Sequence, residues 1–196
     1  WIAGFSISLL ILSIMGVYVN GAGFMGSQGM MSSTIGKIVS ISYIFATIGK
    51  LLGGLAVDRF GVKRIIVITV ACSIIGTIFL SQYKGAEMWP VYGYMVFFGF
   101  GLVTTSVVIP LLARSLFGNK DLSAIMGTVM AFFSLGGVLA APSGTLAYDR
   151  LGSYVPAFYM YAALSVVALG FLFVSMYLSR KKLNLKRAEA EKNQQV

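Results

Sequence analysis

The 196-residue sequence has no histidine, one cysteine and six acidic residues. Without histidine, Ser-His-Asp and Cys-His chemistry and His-based metal sites are excluded. The single Cys72 lies inside an apolar run, which excludes an internal disulfide and a multi-cysteine metal centre and leaves the redox compartment open. The acids, Asp58, Glu87, Asp121, Asp149, Glu189 and Glu191, fall between apolar runs, at their ends or in the polar C-terminal segment. No nucleophile has a base beside it, so neither catalysis nor a metal or other cofactor is expected.

Charge is scarce as well, at 11% of residues, while 58% are hydrophobic. That excludes a soluble globule, in which apolar residues including glycine reach about 45 to 50%. The apolar runs are long enough for membrane helices, and the ten-residue alternation of a β-barrel is absent. The predicted fold class is therefore an all-α membrane protein with six transmembrane helices over about 1–22, 35–57, 65–83, 88–113, 122–148 and 154–179, followed by a polar, basic tail over 180–196. The opening run carries no basic residue before Lys37, so it does not read as a signal peptide, and the chain is expected to be cut from a longer one.

The net charge of +9 would on a soluble protein point to nucleic acid, but the basic residues cluster between apolar runs and no aromatic-interleaved basic stripe accompanies them. No nucleic-acid partner is expected; the lipid bilayer is. Arg59, Lys63, Arg64, Arg114, Lys120 and the tail residues Arg180, Lys181, Lys182, Lys186, Arg187 and Lys192 fall on one side, against Lys37, Lys84 and Arg150 on the other. The positive-inside rule makes the Arg59 side and the tail cytoplasmic. The tail reads as a solvated end, and the short loops fit a bacterial inner membrane.

The nine residues Gly53 to Gly61 and Gly144 to Gly152 align at an offset of 91, with six identities: Gly, Leu, Ala, Asp, Arg and Gly. An offset of three spans puts the copies on opposite membrane faces, so the chain reads as two inverted three-helix repeats. That is a secondary-transporter design, in which related halves exchange conformations around a midplane site. In each copy, Gly144, Asp149, Arg150 and Gly152 in the second, the glycines permit close helix approach and the Asp-Arg pair can cap or oppose a helix end.

The stretch from Gly54 to Arg64, with Asp58, Arg59, Gly61 and Lys63, resembles the cytoplasmic loop signature of the major facilitator superfamily, roughly G-x-L-A-D-R-x-G-R-K. It departs at Ala56 and Val57, where Leu-Ala is usual, and at Val62, a position often basic. The stretch Gly144 to Phe158, with Asp149, Gly152, Ser153, Tyr154, Ala157 and Phe158, resembles the pattern such transporters carry between their last two helices. The resemblance implies the C-terminal six-helix half of a twelve-helix secondary transporter that rocks against an N-terminal half; a second copy of the chain is the alternative partner. It also implies that Asp58, Arg59, Lys63 and Arg64 form a conformational latch on the cytoplasmic side.

Lys50 precedes Asp58 by eight residues, about 12 Å inside the helix end. A charge at that depth costs about 2.5 to 3.5 kcal/mol and commonly faces a cavity; the alternative is that its stem snorkels to the headgroups. A basic residue here is similar to the arrangement in monocarboxylate transporters and oxalate:formate antiporters, which implies a small organic anion as substrate. Lys binds such an anion as a point charge, without the bidentate fork of Arg. Asn20, Tyr43, Thr104 and Thr105 are further substrate-contact candidates, with Ser106 beside the threonines in the fourth span and Phe132, Phe133 and Ser134 in the fifth. The competing reading for each is packing, or for the hydroxyls a bond to the preceding turn beside Pro110. Two other functions stay open: an exporter of drugs or amphipathic compounds, and a non-transporting membrane scaffold.

Overall fold

The computed structural model describes residues 2–111, 114 and 122–194. The expected end of the fourth span at 113 and the connection Gly118 to Asp121, with Lys120, lie outside them. Six helices follow one another: α1 (Ile2–Ser27), α2 (Ser32–Phe60), α3 (Val62–Ser81), α4 (Trp89–Gly101), α5 (Leu122–Leu151) and α6 (Val155–Gln194). No strand occurs among the described residues. After α4 the fourth span runs on through a π-helical turn, Thr104–Val108, to Leu111. All six are long and apolar enough to cross a membrane.

Helix ends follow the local chemistry. α1 continues to Ser27, past the expected 22, because Gly21 to Met25 bring no charge or proline; Gly29, at φ +85°, then turns the chain. The segment Asp58 to Arg64, expected as a loop, is almost entirely helical. Asp58 and Arg59 complete α2, Lys63 and Arg64 sit in the first turn of α3, and Gly61 alone, at φ +82°, makes the bend. Only glycine takes that backbone conformation without strain. The π turn lies just before Pro110, which has no N–H to offer the Ser106 carbonyl and whose ring crowds it. Ile109 N–H donates instead to the Thr104 carbonyl, five residues back.

The packing obeys the repeat. If α1, α2 and α3 are exchanged with α4, α5 and α6, the main contacts map onto themselves: α1 on α5 becomes α4 on α2, and α1 on α6 becomes α4 on α3. Small residues set both crossings. A Cβ built at Gly99 of α4 would stand 2.7 Å from the Ser42 carbonyl oxygen and from Phe45 Cβ of α2. Ninety-one residues away in each case, Gly136 of α5 meets the backbone of α1 at Ser8. Even the motif ends match. The Gly61 N–H donates to the Val57 carbonyl and the Gly152 N–H to the Tyr148 carbonyl, both at 2.8 Å, and both glycines have positive φ. Six helices in two inverted repeats are thus present in space as well as in sequence.

Among the described residues three apolar clusters fill the bundle, one around Phe24, Tyr94, Phe98 and Phe158, one around Ile66, Val70, Val103 and Leu172, and a smaller one of Ile7, Ile11, Ile109 and Val129. α2 and α5 contribute least to them: only 28% and 17% of their membrane windows are buried, against 50% for α1.

Candidate functional site

α2 has three faces, and the sequence lays them out. Ile38, Ser42, Ala46, Gly49, Gly53 and Val57 are buried at helical spacing. The two glycines press on the fourth span just past α4, where a Cβ at either would come within 2.7 Å of a Val103 methyl. Ile44, Ile48, Leu51 and Leu55 form an exposed aliphatic face. Between these faces runs a third, made of Ser40, Tyr43, Thr47 and Lys50, spaced as successive turns require and all exposed. Gly54 continues this stripe, with nothing within 4 Å of where its Cβ would be. An aliphatic face suits lipid, whereas a stripe of hydroxyls ending in a lysine suits water or a polar ligand.

Lys50 makes no hydrogen bond or ion pair among the described residues. One turn and more away, the Tyr43 hydroxyl donates to the Tyr18 hydroxyl of α1 at 2.6 Å, with the rings edge to face at 5.7 Å. The repeat supplies an internal comparison. The positions in α5 that correspond to Ser40, Tyr43, Thr47, Lys50 and Gly54 are Ala131, Ser134, Val138, Ala141 and Thr145, all exposed and none charged. The fold therefore builds this helix with alanine where α2 carries Lys50, so the architecture itself does not require the cation.

The other candidates separate by burial. The Asn20 amide, 4% exposed, donates to the Gly16 carbonyl at 2.9 Å and across to the Ala140 carbonyl of α5 at 3.0 Å. Thr104 is fully buried and donates to Thr69 Oγ1 of α3 at 2.7 Å. Both side chains tie helices together. Thr105 is half-buried and bonds the Leu102 carbonyl at 2.8 Å, while Ser106 and Ser134 are exposed. Lys50 and Tyr43 are thus brought onto one open face, and Asn20 and Thr104 are not. Sequence reasoning passed over Tyr18, Ser40 and Thr47; the four- and three-residue spacing of Ser40, Tyr43, Thr47 and Lys50 was the signal that marks the last two.

At the end of α2, Asp58 is exposed and has no hydrogen-bond or ion-pair partner among the described residues, and the same holds for Asp149 at the end of α5. Each carboxylate stands at the negative end of its own helix dipole, an unfavourable place. No side chain caps the start of α3, so Asp58 does not serve that helix either. Arg59 lies beside the Phe60 ring, 5.8 Å from its centre.

Six apolar helices in an inverted three-plus-three arrangement, with an open polar stripe on one of them, define an integral membrane protein built from inverted repeats. The sequence matches the Major Facilitator Superfamily over residues 1–196, and the chain belongs to that family. It is 26% identical over 129 residues to a protein of the fungus Gibberella moniliformis (strain M3125 / FGSC 7600) described as an MFS-type transporter. That match takes in 64% of this chain and 30% of the relative, so the chain spans well under two thirds of the relative's length.

Proposed function

We propose that the chain forms one six-helix half of a secondary transporter that moves a small organic anion by alternating access, with Lys50 as the anion's point charge. The observation that carries the reading is Lys50 itself: a cation without a partner among the described residues, on the polar stripe of α2, at a position the inverted repeat fills with Ala141. Tyr43, held by Tyr18, and Thr47 offer hydroxyls on the same face. The stripe then faces a cavity completed by a second six-helix half, an N-terminal one in a longer chain or a second copy of this one. The sparse burial of α2 and α5 fits them as the helices that meet that half.

In this reading Asp58, Arg59, Lys63 and Arg64 are the latch that holds the cytoplasmic side closed, with Asp58 accepting from the positive end of a helix in the other half. That Asp58 has no hydrogen-bond or ion-pair partner among the described residues supports this. The basic bias of that side supports a cytoplasmic latch and tail.

Uptake of labelled small carboxylates into vesicles containing the complete transporter tests the proposal. Wild type accumulates a carboxylate, Lys50→Met loses at least about tenfold in apparent affinity, equivalent to one charge-assisted contact, and Lys50→Arg keeps most of it. Transport of cationic amphiphiles unaffected by Lys50→Met would instead make the protein an exporter of such compounds, with the lysine outside its site.

A further inference from the structure

A second cavity, of about 800 Å³, opens at the end of the bundle opposite Asp58, where α1 and α3 end and α4 and α6 begin. Its roof is the α3–α4 connection. Gly85 bends there at φ +87°, and a Cβ on it would stand 2.9 Å from the Gln28 carbonyl oxygen at the end of α1, so only glycine lets the connection lie that close. The lining includes Gln28, Gln82, Lys84, Glu87, Trp89 and Tyr159. The Trp89 indole N–H donates to Glu87 Oε2 at 2.6 Å, and its ring stands edge-on to Phe79 at 5.8 Å. Glu87 Oε1 and the Lys84 ammonium have no hydrogen-bond partner among the described residues.

Among the described residues the cavity therefore presents a cation without a partner and a carboxylate with a free oxygen, not paired with each other. Trp89 and Tyr159, each about half exposed, stand with them at the helix ends, the depth at which such amphipathic rings favour the membrane surface. Further along the bounding helices, Ile78 of α3 and Met160 of α6 are exposed and apolar. Opposite charges at headgroup depth, with the apolar Phe24 and Val155 in the same lining, match a molecule that is zwitterionic at one end and hydrocarbon at the other.

From this arrangement we infer that the cavity is a binding site for one zwitterionic phospholipid, its phosphate on Lys84 and its ammonium on Glu87 and the aromatic faces. The inference stands apart from the transported substrate and does not depend on it.

Native mass spectrometry of the purified complete transporter, exchanged into detergent with equal amounts of phosphatidylethanolamine, phosphatidylcholine and phosphatidylglycerol, tests it. The chain retains one zwitterionic lipid about tenfold over the anionic one, the factor one charge-assisted contact supplies. Glu87→Gln reverses that preference toward phosphatidylglycerol, because Lys84 remains, and Lys84→Gln abolishes the retained lipid; helicity by circular dichroism stays at the wild-type level in both. Equal retention of the three lipids by wild type, or a wild-type preference for the anionic one, overturns the inference. So does displacement of the lipid by soluble phosphoethanolamine, which would make the occupant a free solute.

Discussion

Gly53 and Gly54 are neighbours in sequence with opposite surroundings. A Cβ at Gly53 meets a Val103 methyl at 2.7 Å, whereas one at Gly54 meets nothing within 4 Å. Gly53→Ala therefore overpacks the contact between α2 and the fourth span, at about 1 to 3 kcal/mol. Gly54→Ala adds only helix propensity, a gain of about 0.8 to 1 kcal/mol. Thermal melts of the two variants in detergent should move in opposite directions, down for Gly53→Ala and slightly up for Gly54→Ala; a Gly53→Ala melt equal to wild type would show that the contact is loose. Residue-level reading from sequence has a limit here. A polar side chain in an apolar helix faces either water or another helix, and the partners of Asn20 and Thr104, Ala140 and Thr69, are 120 and 35 residues away. Spacing along one helix cannot find them. It does find Tyr43 and Lys50, whose shared face is a property of α2 alone.

The elements were legible to the extent that charge and apolar length set them. Six uncharged or nearly uncharged runs give six helices, because only helices satisfy the backbone in lipid. Charge was a poor guide to where helices stop. Asp58, Arg59, Lys63 and Arg64 continue helix on both sides of Gly61, and α6 continues as helix to Gln194 through the polar tail. The π turn was not legible, since Pro110 marks a disturbance but not its form. Pro110 is also the cause of that turn in this account, and replacing it is informative. Pro110→Ala returns an N–H to the Ser106 carbonyl, so the turn over Thr104–Val108 should tighten to α-helix and its amides should exchange with solvent at least about tenfold more slowly, given that proline inside a helix costs about 3 kcal/mol. Unchanged exchange across 104–108 would assign the π turn to the packing of Thr104 on Thr69 instead.

At the scale of the molecule, one nine-residue match at an offset of 91 anticipated the arrangement of all six helices. It could do so because an odd number of crossings leaves inversion as the only relation between the halves. The same symmetry isolates what is particular to one half, and Lys50 opposite Ala141 is the clearest departure from it. The central claim is that Lys50 faces a polar cavity and not lipid. The most direct measurement is cysteine accessibility in the complete transporter, in a Cys72→Ala background, with a charged, membrane-impermeant thiol reagent. Lys50→Cys should react, because the stripe is reached from water, while Ile48→Cys on the aliphatic face of the same helix should stay silent. Reaction at Ile48→Cys with none at Lys50→Cys would place the stripe against protein or lipid and contradict the account.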